Sequence, residues 1–355
     1  MDRQVVPFWG ALVGQVVEQP RPAPAPIPAV PYDAATAEVL DALDQAADEH
    51  LGDIRPRNTK RGYANDWALW TEYLAWLAEK AGRTVPETAV TKGTLVGFVR
   101  WLDVIKEAAP SSIDRRITGV TVTARTLGVN VTKDTTVAAR QALKPIRDDP
   151  AKQARGRGKA HAVSPAQLRS MASVPAGTPL ADLRDRALTL IAFSVAGRSA
   201  EVAALTVEGI TEVAGGLEVK VPKVKTGEGR TVAVARGTNP DSCPVRAWLA
   251  WKAAAGIEAG PAFRAVDRWG NISGRRMSPD ACRLVVARAA ERAGIEQRLT
   301  GHSMRAGLIT TARKERKRVE KIREQSGHAA NSPVFWEYVR DADRWDAAAT
   351  DGIGL

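Results

Sequence analysis

A chain of 355 residues with 44% hydrophobic and 26% charged residues is long enough for two domains with their own cores, and its composition excludes a disordered or fibrous protein. Its formal net charge of +11 favours a polyanionic partner, either nucleic acid or an anionic membrane surface. Two cysteines, Cys243 and Cys282, are too few for a disulfide framework, and four histidines without a C-x-x-C or H-E-x-x-H pattern argue against a zinc site.

Val5 to Val17 is mostly apolar, but it is short and broken by Pro7, Gly10, Gly14 and Gln15, and Asp2 cancels Arg3. An N-terminal arm or short helix is expected there, not a signal peptide or membrane span. With no other candidate span, a cytoplasmic, nucleoid-associated protein is expected. Gln19 to Pro31 is rich in Pro and Ala and predicts a semi-rigid extended linker, so residues 1–31 form an arm ahead of the first domain.

Residues 32–147 read as a compact helical domain. Asp33 to Leu51 has helical composition. Asn58-Thr59 can cap a helix through Lys80 whose apolar ridge is Tyr63, Trp67, Trp70, Leu74 and Leu77. Aromatics at this spacing are a core face more often than a base-stacking platform. The next helix starts at Thr91 and should bury Leu95, Phe98, Leu102 and Ile105. Pro110-Ser111-Ser112 opens another, with Ile113 and Ile117 on one face, and Thr135 to Leu143 makes a last one, stopped by Pro145. Lys60 and Arg61 are candidates to face phosphates.

Residues 148–163 read as a flexible basic linker. The run from Lys144 to Lys159 sets Lys144, Arg147, Lys152, Arg155, Arg157 and Lys159 against Asp148 and Asp149, and its Arg-Gly-Arg-Gly-Lys segment holds a helix poorly. Lys152, Arg155, Arg157 and Lys159 are candidates to track a phosphate backbone.

A second domain is expected over residues 164–345, with a tail at 346–355. Ser164-Pro165 is a helix start. Leu180 to Phe193 predicts a helix buried through Leu183, Leu190 and Ile191, and a short helix after Arg198 ends near Leu205. Leu217, Val219 and Val221 alternate with Glu218 and Lys220 as in a strand, Thr231 to Ala235 is a second, and Lys225 to Arg230 joins them as a hairpin. Pro244 to Ala255 and Ser278 to Ala293 are further helices.

Chemistry concentrates in ordered short segments: Ala196-Gly197-Arg198-Ser199-Ala200-Glu201, Val224-Lys225-Thr226, Gly301-His302-Ser303-Met304-Arg305, Ser326-Gly327-His328 and Tyr338-Val339-Arg340. Two arginines can neutralise a phosphate, imidazoles can move protons and a phenol can attack phosphorus. These five segments resemble the motifs of the tyrosine recombinases, the phage integrase family. That resemblance implies a mainly α fold with a small antiparallel β-sheet, made of a helical core-binding domain and a mixed α/β catalytic domain. It implies a site-specific DNA recombinase working through a 3′-phosphotyrosine intermediate, without cofactor, metal or ATP. Its catalytic residues would be Arg198, Lys225, His302, Arg305, His328 and Tyr338, with Glu201 orienting Arg198 or His302. Lys223 is a rival to Lys225. Tyr338 is the only tyrosine of the second domain; Tyr32, Tyr63 and Tyr73 lie in the N-terminal half. The implied partners are double-stranded DNA, three further copies in a homotetramer on paired sites, and accessory DNA-bending or directionality proteins. Trp345, Ile353 and Leu355 would anchor the tail on a neighbouring subunit. The alternatives are a type IB topoisomerase-like or telomere-resolving enzyme, and an inactive DNA-binding protein on the same scaffold.

Overall fold

The structure is a computed structural model that describes residues 33–156, 158, 160–222, 229–344, 346, 348 and 350; for 48, 49 and 51–54 only the backbone is described. The N-terminal arm, Lys223, Lys225, Arg157, Lys159, Trp345, Ile353 and Leu355 therefore lie outside the described residues. The chain divides into two compact units, Met1–Gly156 and Arg157–Leu355. No described helix is long and apolar enough to cross a membrane.

The first unit is helical: α1 (Ala34–Ile54), α2 (Arg57–Ala81), α3 (Lys92–Val104), α4 (Pro110–Thr126), α5 (Lys133–Asp148) and the single turn α6 (Pro150–Gln153). Trp70, Leu95, Phe98, Leu102, Ile113, Ile117 and Leu143 are fully buried in its core, so the ridge of α2 is a packing face. Thr91 caps α3, its hydroxyl accepting from the Thr94 N–H while the Thr94 hydroxyl accepts from the Thr91 N–H.

The structure departs from the sequence reading in four places here. Asn58 and Thr59 do not cap α2, because Pro56 already holds the N-cap position and the helix begins at Arg57. Ile105 is 51% exposed, since α3 ends at Val104 and the chain turns away through Glu107 at φ 45°. Helix α5 runs through Pro145 instead of stopping there. The ring removes one helical hydrogen bond, but Leu143 and Ile146 on either side are buried in the core and hold the turn. The Gln153 amide also donates to the Arg147 carbonyl at the helix end (2.6 Å). The start of the basic segment is thus ordered: Asp149 caps α6, and both Lys152 Nζ and Arg155 Nη1 pair with Asp103 at 2.7 Å.

The second unit begins with α7 (Pro165–Ser173), capped by Ser164, and α8 (Pro179–Ser194). A short α9 (Ser199–Ala203) leads into an antiparallel sheet, β1 (Ile210–Val213), β2 (Gly216–Val221) and β3 (Arg230–Ala235), in the order β1-β2-β3. Val219 pairs with Ile210 on one side and Val232 on the other. After α10 (Pro244–Ala255), β4 (Arg264–Val266) and β5 (Ile272–Arg276) form a second ladder, followed by α11 (Pro279–Arg292), α12 (Gly301–Lys314), α13 (Val319–Ser326) and α14 (Pro333–Ala342). The core holds Leu188, Ile191, Val219, Trp248, Trp251, Phe263 and Met304. Strands β1, β4 and β5 have no clear period in the sequence; their burial is one-sided or partial. The fold is mainly α with small antiparallel sheets.

Candidate active site

The site gathers at the N-terminal ends of α9 and α12 and around the last turn of α13. Ala196, fully buried, takes φ 47°, a conformation that costs a residue with a Cβ. That turn aims the Ala196 carbonyl at Arg305, whose Nη1 donates to it at 2.9 Å. Gly301 lets α12 start against α9: a Cβ there would lie 2.1 Å from the Ser199 Oγ. This close approach brings His302 and Arg305 beside Arg198.

Arg198 is the N-cap residue of α9, with a side chain 40% exposed. Its N–H donates to Glu201 Oε2 (3.1 Å) and its Nη1 to Glu201 Oε1. Glu201 is buried. Burial pushes its carboxyl up, but the charge of Arg230 and the N–H of Arg198 outweigh that and hold it below the ordinary carboxylate value. Glu201 therefore stays ionised and pins the Arg198 guanidinium while leaving its outer edge open to solvent.

Arg305 is 4% exposed. Burial, then the charge of Arg198, lowers its pKa to about 9, while Tyr338 acts in the opposite direction. The guanidinium is still a cation at neutral pH. Its Nε donates to His328 Nε2 (3.3 Å), and Nη2 lies 3.1 Å from His328 Nδ1. A ring that accepts from an arginine must be neutral, and burial together with Arg305, Arg198 and Arg230 pushes the His328 pKa down to about 3. Ser326 Oγ, 2.9 Å from His328 Nδ1, completes the ring's surroundings. Gly327 caps α13 at φ 62° and swings His328 back onto Arg305.

His302 reaches solvent, yet the protein around it, then Arg305 and Arg198, lowers its pKa. It is neutral at pH 7 and can accept a proton. Tyr338 lies on α14, half-buried against the cluster of Ile309, Ile322, Phe335 and Val339. Ser332 caps that helix and Pro333 opens it. Phe335 is fully buried with its ring 5.4 Å from that of His328, and Arg313 of α12 binds Asp343 at the far end of α14 (2.7 Å).

Arg198, Glu201, His302, Arg305, His328 and Tyr338 are thus brought together, whereas Lys225 lies outside the described residues. Lys60 and Arg61 sit on the first turns of α2 in the other unit, with Lys60 and Arg61 both exposed. One member of the cluster escaped the sequence reading: Arg230, whose Nη2 donates to Glu201 Oε2 at 3.1 Å. Its only sequence signal was a charged residue opening a strand of alternating apolar residues. Among the described residues, no group of three or more His, Cys, Asp or Glu is placed to hold a metal ion. Both cysteines are buried and free, and burial pushes the Cys282 thiol up to about 12, so it is no nucleophile.

The phage integrase family profile matches residues 162–344. An integrase/recombinase xerD homolog of Selenomonas ruminantium is 26% identical over 286 residues, covering 78% of this chain and 80% of the relative. Among solved structures, a lambda integrase(75-356) dimer bound to a COC' core site aligns with TM-score 0.60 at 15% identity, over 86% of this chain and 96% of that one. A lambda integrase tetramer bound to a Holliday junction aligns with TM-score 0.58 at 15% identity, over 89% and 83%. At these identities the structural likeness speaks to the fold, and the profile speaks to descent. The chain belongs to the phage integrase family, the site-specific tyrosine recombinases.

Proposed function

We propose that this recombinase cleaves double-stranded DNA through Tyr338. The phenol oxygen forms a bond to the scissile phosphorus as the 5′-oxygen departs, leaving a 3′-phosphotyrosine; the phenol proton passes to a base and the 5′-oxygen is protonated. The covalent link conserves the phosphodiester's bond energy, so rejoining by a 5′-hydroxyl needs no ATP. Arg198 and Arg305 bind the non-bridging oxygens and stabilise the charge of the transition state. His302, neutral at pH 7, takes the proton of the attacking hydroxyl on rejoining. His328, held neutral, orients Arg305 and bonds to the phosphate. Lys225 protonates the leaving oxygen.

The observation that carries this reading is Arg305. Its guanidinium links the turn before Arg198 to His328 and lies close enough to Tyr338 that an ionised phenol there would favour the cation, so groups from three separate segments converge on one cation. A phosphate brought there would meet two arginines and a tyrosine together. Recombination cuts four strands, so four copies would act on paired sites, with residues 32–147 and the cations Lys60, Arg61, Lys152, Arg155, Arg157 and Lys159 contributing to DNA binding. Accessory DNA-bending or directionality proteins would set the outcome.

The test is a nicked suicide substrate incubated with wild type and Tyr338→Phe. Wild type should form a covalent adduct, also in excess EDTA, and the variant should lose it by at least about a thousandfold while still binding DNA. Undiminished adduct from Tyr338→Phe would move the nucleophile elsewhere. No adduct from wild type would favour the inactive DNA-binding reading, and relaxation of supercoils without strand exchange would favour the topoisomerase-like one.

A further inference from the structure

Arg230 opens β3, where it pairs with Val221 at the end of β2. Its side chain is only 14% exposed. Taking a guanidinium out of water is unfavourable unless acceptors meet its donors. Three do, from three separate segments. Arg230 Nε donates to the Gln325 carbonyl (2.9 Å), and Nη2 donates to the Val195 carbonyl (3.0 Å) and to Glu201 Oε2 (3.1 Å).

Each acceptor sits next to a member of the site. Val195 precedes Ala196, whose carbonyl holds Arg305. Gln325, in the last turn of α13, lies three residues before His328, and its amide donates to the Ser194 and Ala233 carbonyls (2.7 and 3.1 Å). Glu201 holds Arg198 through its other oxygen. Gly327 leaves room for this arrangement: a Cβ there would lie 3.0–3.2 Å from Arg230 Cδ, Nη1 and Nε.

We propose that Arg230 is a positioning residue for strand cleavage: it shares Glu201 with Arg198 and fastens the foot of the β2–β3 hairpin to the turns that carry Arg305 and His328. It does not reach the phosphate itself; it fixes the groups that do. A planar fork can span a carboxylate and two carbonyls, and a lysine ammonium in its place cannot. Arg230 is also the largest charge holding Glu201 ionised against burial. The inference rests on the reading of Arg198, Arg305 and His328 as the set that holds the phosphate.

The test is single-turnover cleavage of the suicide substrate by full-length Arg230→Lys, Arg230→Met, Glu201→Gln and the Arg230→Met/Glu201→Gln double variant, with rates expressed per folded molecule. Arg230→Lys and Arg230→Met should cleave about 10- to 100-fold more slowly, with DNA affinity near that of wild type. If Arg230→Met fails to fold, Arg230→Lys, which keeps a cation beside Glu201, carries the measurement. Because Glu201 acts with Arg230 as well as with Arg198, the double variant should be slower than wild type by less than the product of the two single defects. Glu201 is faced by Arg198, Arg230, Arg305, His302 and His328. Losing one of its cations should therefore move the acid limb of the Arg230→Met rate profile to higher pH, a shift that plain loss of stability would not cause. Wild-type rates in both Arg230 variants, or multiplicative defects with an unmoved acid limb, would overturn the proposal. Arg198→Lys is measured alongside: if it too cleaves normally, the reading of the site fails, and if it alone is impaired, only the role of Arg230 does.

Discussion

Asp66 of the helical unit and Glu201 of the second unit are both carboxylates buried against arginine. Asp66 on α2 is fully buried and receives Arg115 Nη1 and Nη2 of α4 at 2.5 and 2.6 Å. Gly119 of α4 packs directly onto it, since a Cβ there would come within 2.3 Å of Asp66 Oδ2. Despite the bidentate pair, burial dominates, and the Asp66 carboxyl is pushed above its ordinary value. At Glu201 the balance is reversed: two arginines and a backbone N–H outweigh burial. The half-exposed Arg115 and the charge of Arg116 together do not compensate for the fully buried Asp66, whereas two arginines that both bond Glu201, with a backbone N–H, do. The first carboxylate is a packing clamp between two helices. The second is a fixed charge that orients Arg198, the arginine proposed to hold the phosphate.

The arginines should separate the two regions most strongly. Arg198→Lys and Arg305→Lys are each expected to lower suicide-substrate cleavage by about 10²- to 10³-fold, because an ammonium cannot reproduce the fork on two phosphate oxygens. Arg115→Lys should leave cleavage within about threefold and act on the folding of the helical unit instead. Near-normal cleavage by Arg198→Lys, or a comparable loss in Arg115→Lys, would dissolve the distinction.

A smaller effect is expected from the carboxylates, with opposite signs in pH. The Asp66 pKa is raised on folding, so ionising it opposes the fold: its contribution is favourable below the unfolded value near 3.8 and is lost as pH rises through the folded value. The Glu201 pKa is lowered, so its contribution is present above the unfolded value near 4.5 and is lost as pH falls through the folded value. Denaturant midpoints of Asp66→Asn relative to wild type should therefore improve as pH rises from about 4 to 7, and those of Glu201→Gln should worsen as pH rises from about 3 to 5. Parallel trends would show that the two sites are electrostatically alike.

The smallest effect concerns a third paired carboxylate. Lys152 and Arg155 are both bound to Asp103, whose carboxyl they hold below its ordinary value even though burial pushes it up. Cations already neutralised by the protein release fewer counterions on DNA. Replacing both with Gln should reduce the salt slope of DNA binding by less than the about 0.9 expected for each free phosphate contact. A loss of about 1.8 would show that they leave Asp103 for the phosphate backbone.

Much of the site was legible because its residues fall in short, ordered segments with local causes. Ser164 and Ser278 cap helices whose first residue is Pro, a signal contained within a few neighbouring residues. His302 and Arg305 share one face at the start of α12 through helical spacing alone, and the alternation of Leu217, Val219 and Val221 set β2. The family motifs supplied the order of Arg198, His302, Arg305, His328 and Tyr338. What the sequence could not decide depends on contacts between distant segments. Pro145 forbids a local hydrogen bond, but the burial of Leu143 and Ile146 carries α5 past it. Strands β1, β4 and β5 exist because a neighbour supplies their hydrogen bonds, not because of a period of their own. The cations at 152 and 155 looked free until α3 brought Asp103 to them. Arg230 is the clearest case: its acceptors lie 29, 35 and 95 residues away. Periodicity and capping are written in the nearest few residues, whereas the pairing of buried charge is set only when the chain closes on itself.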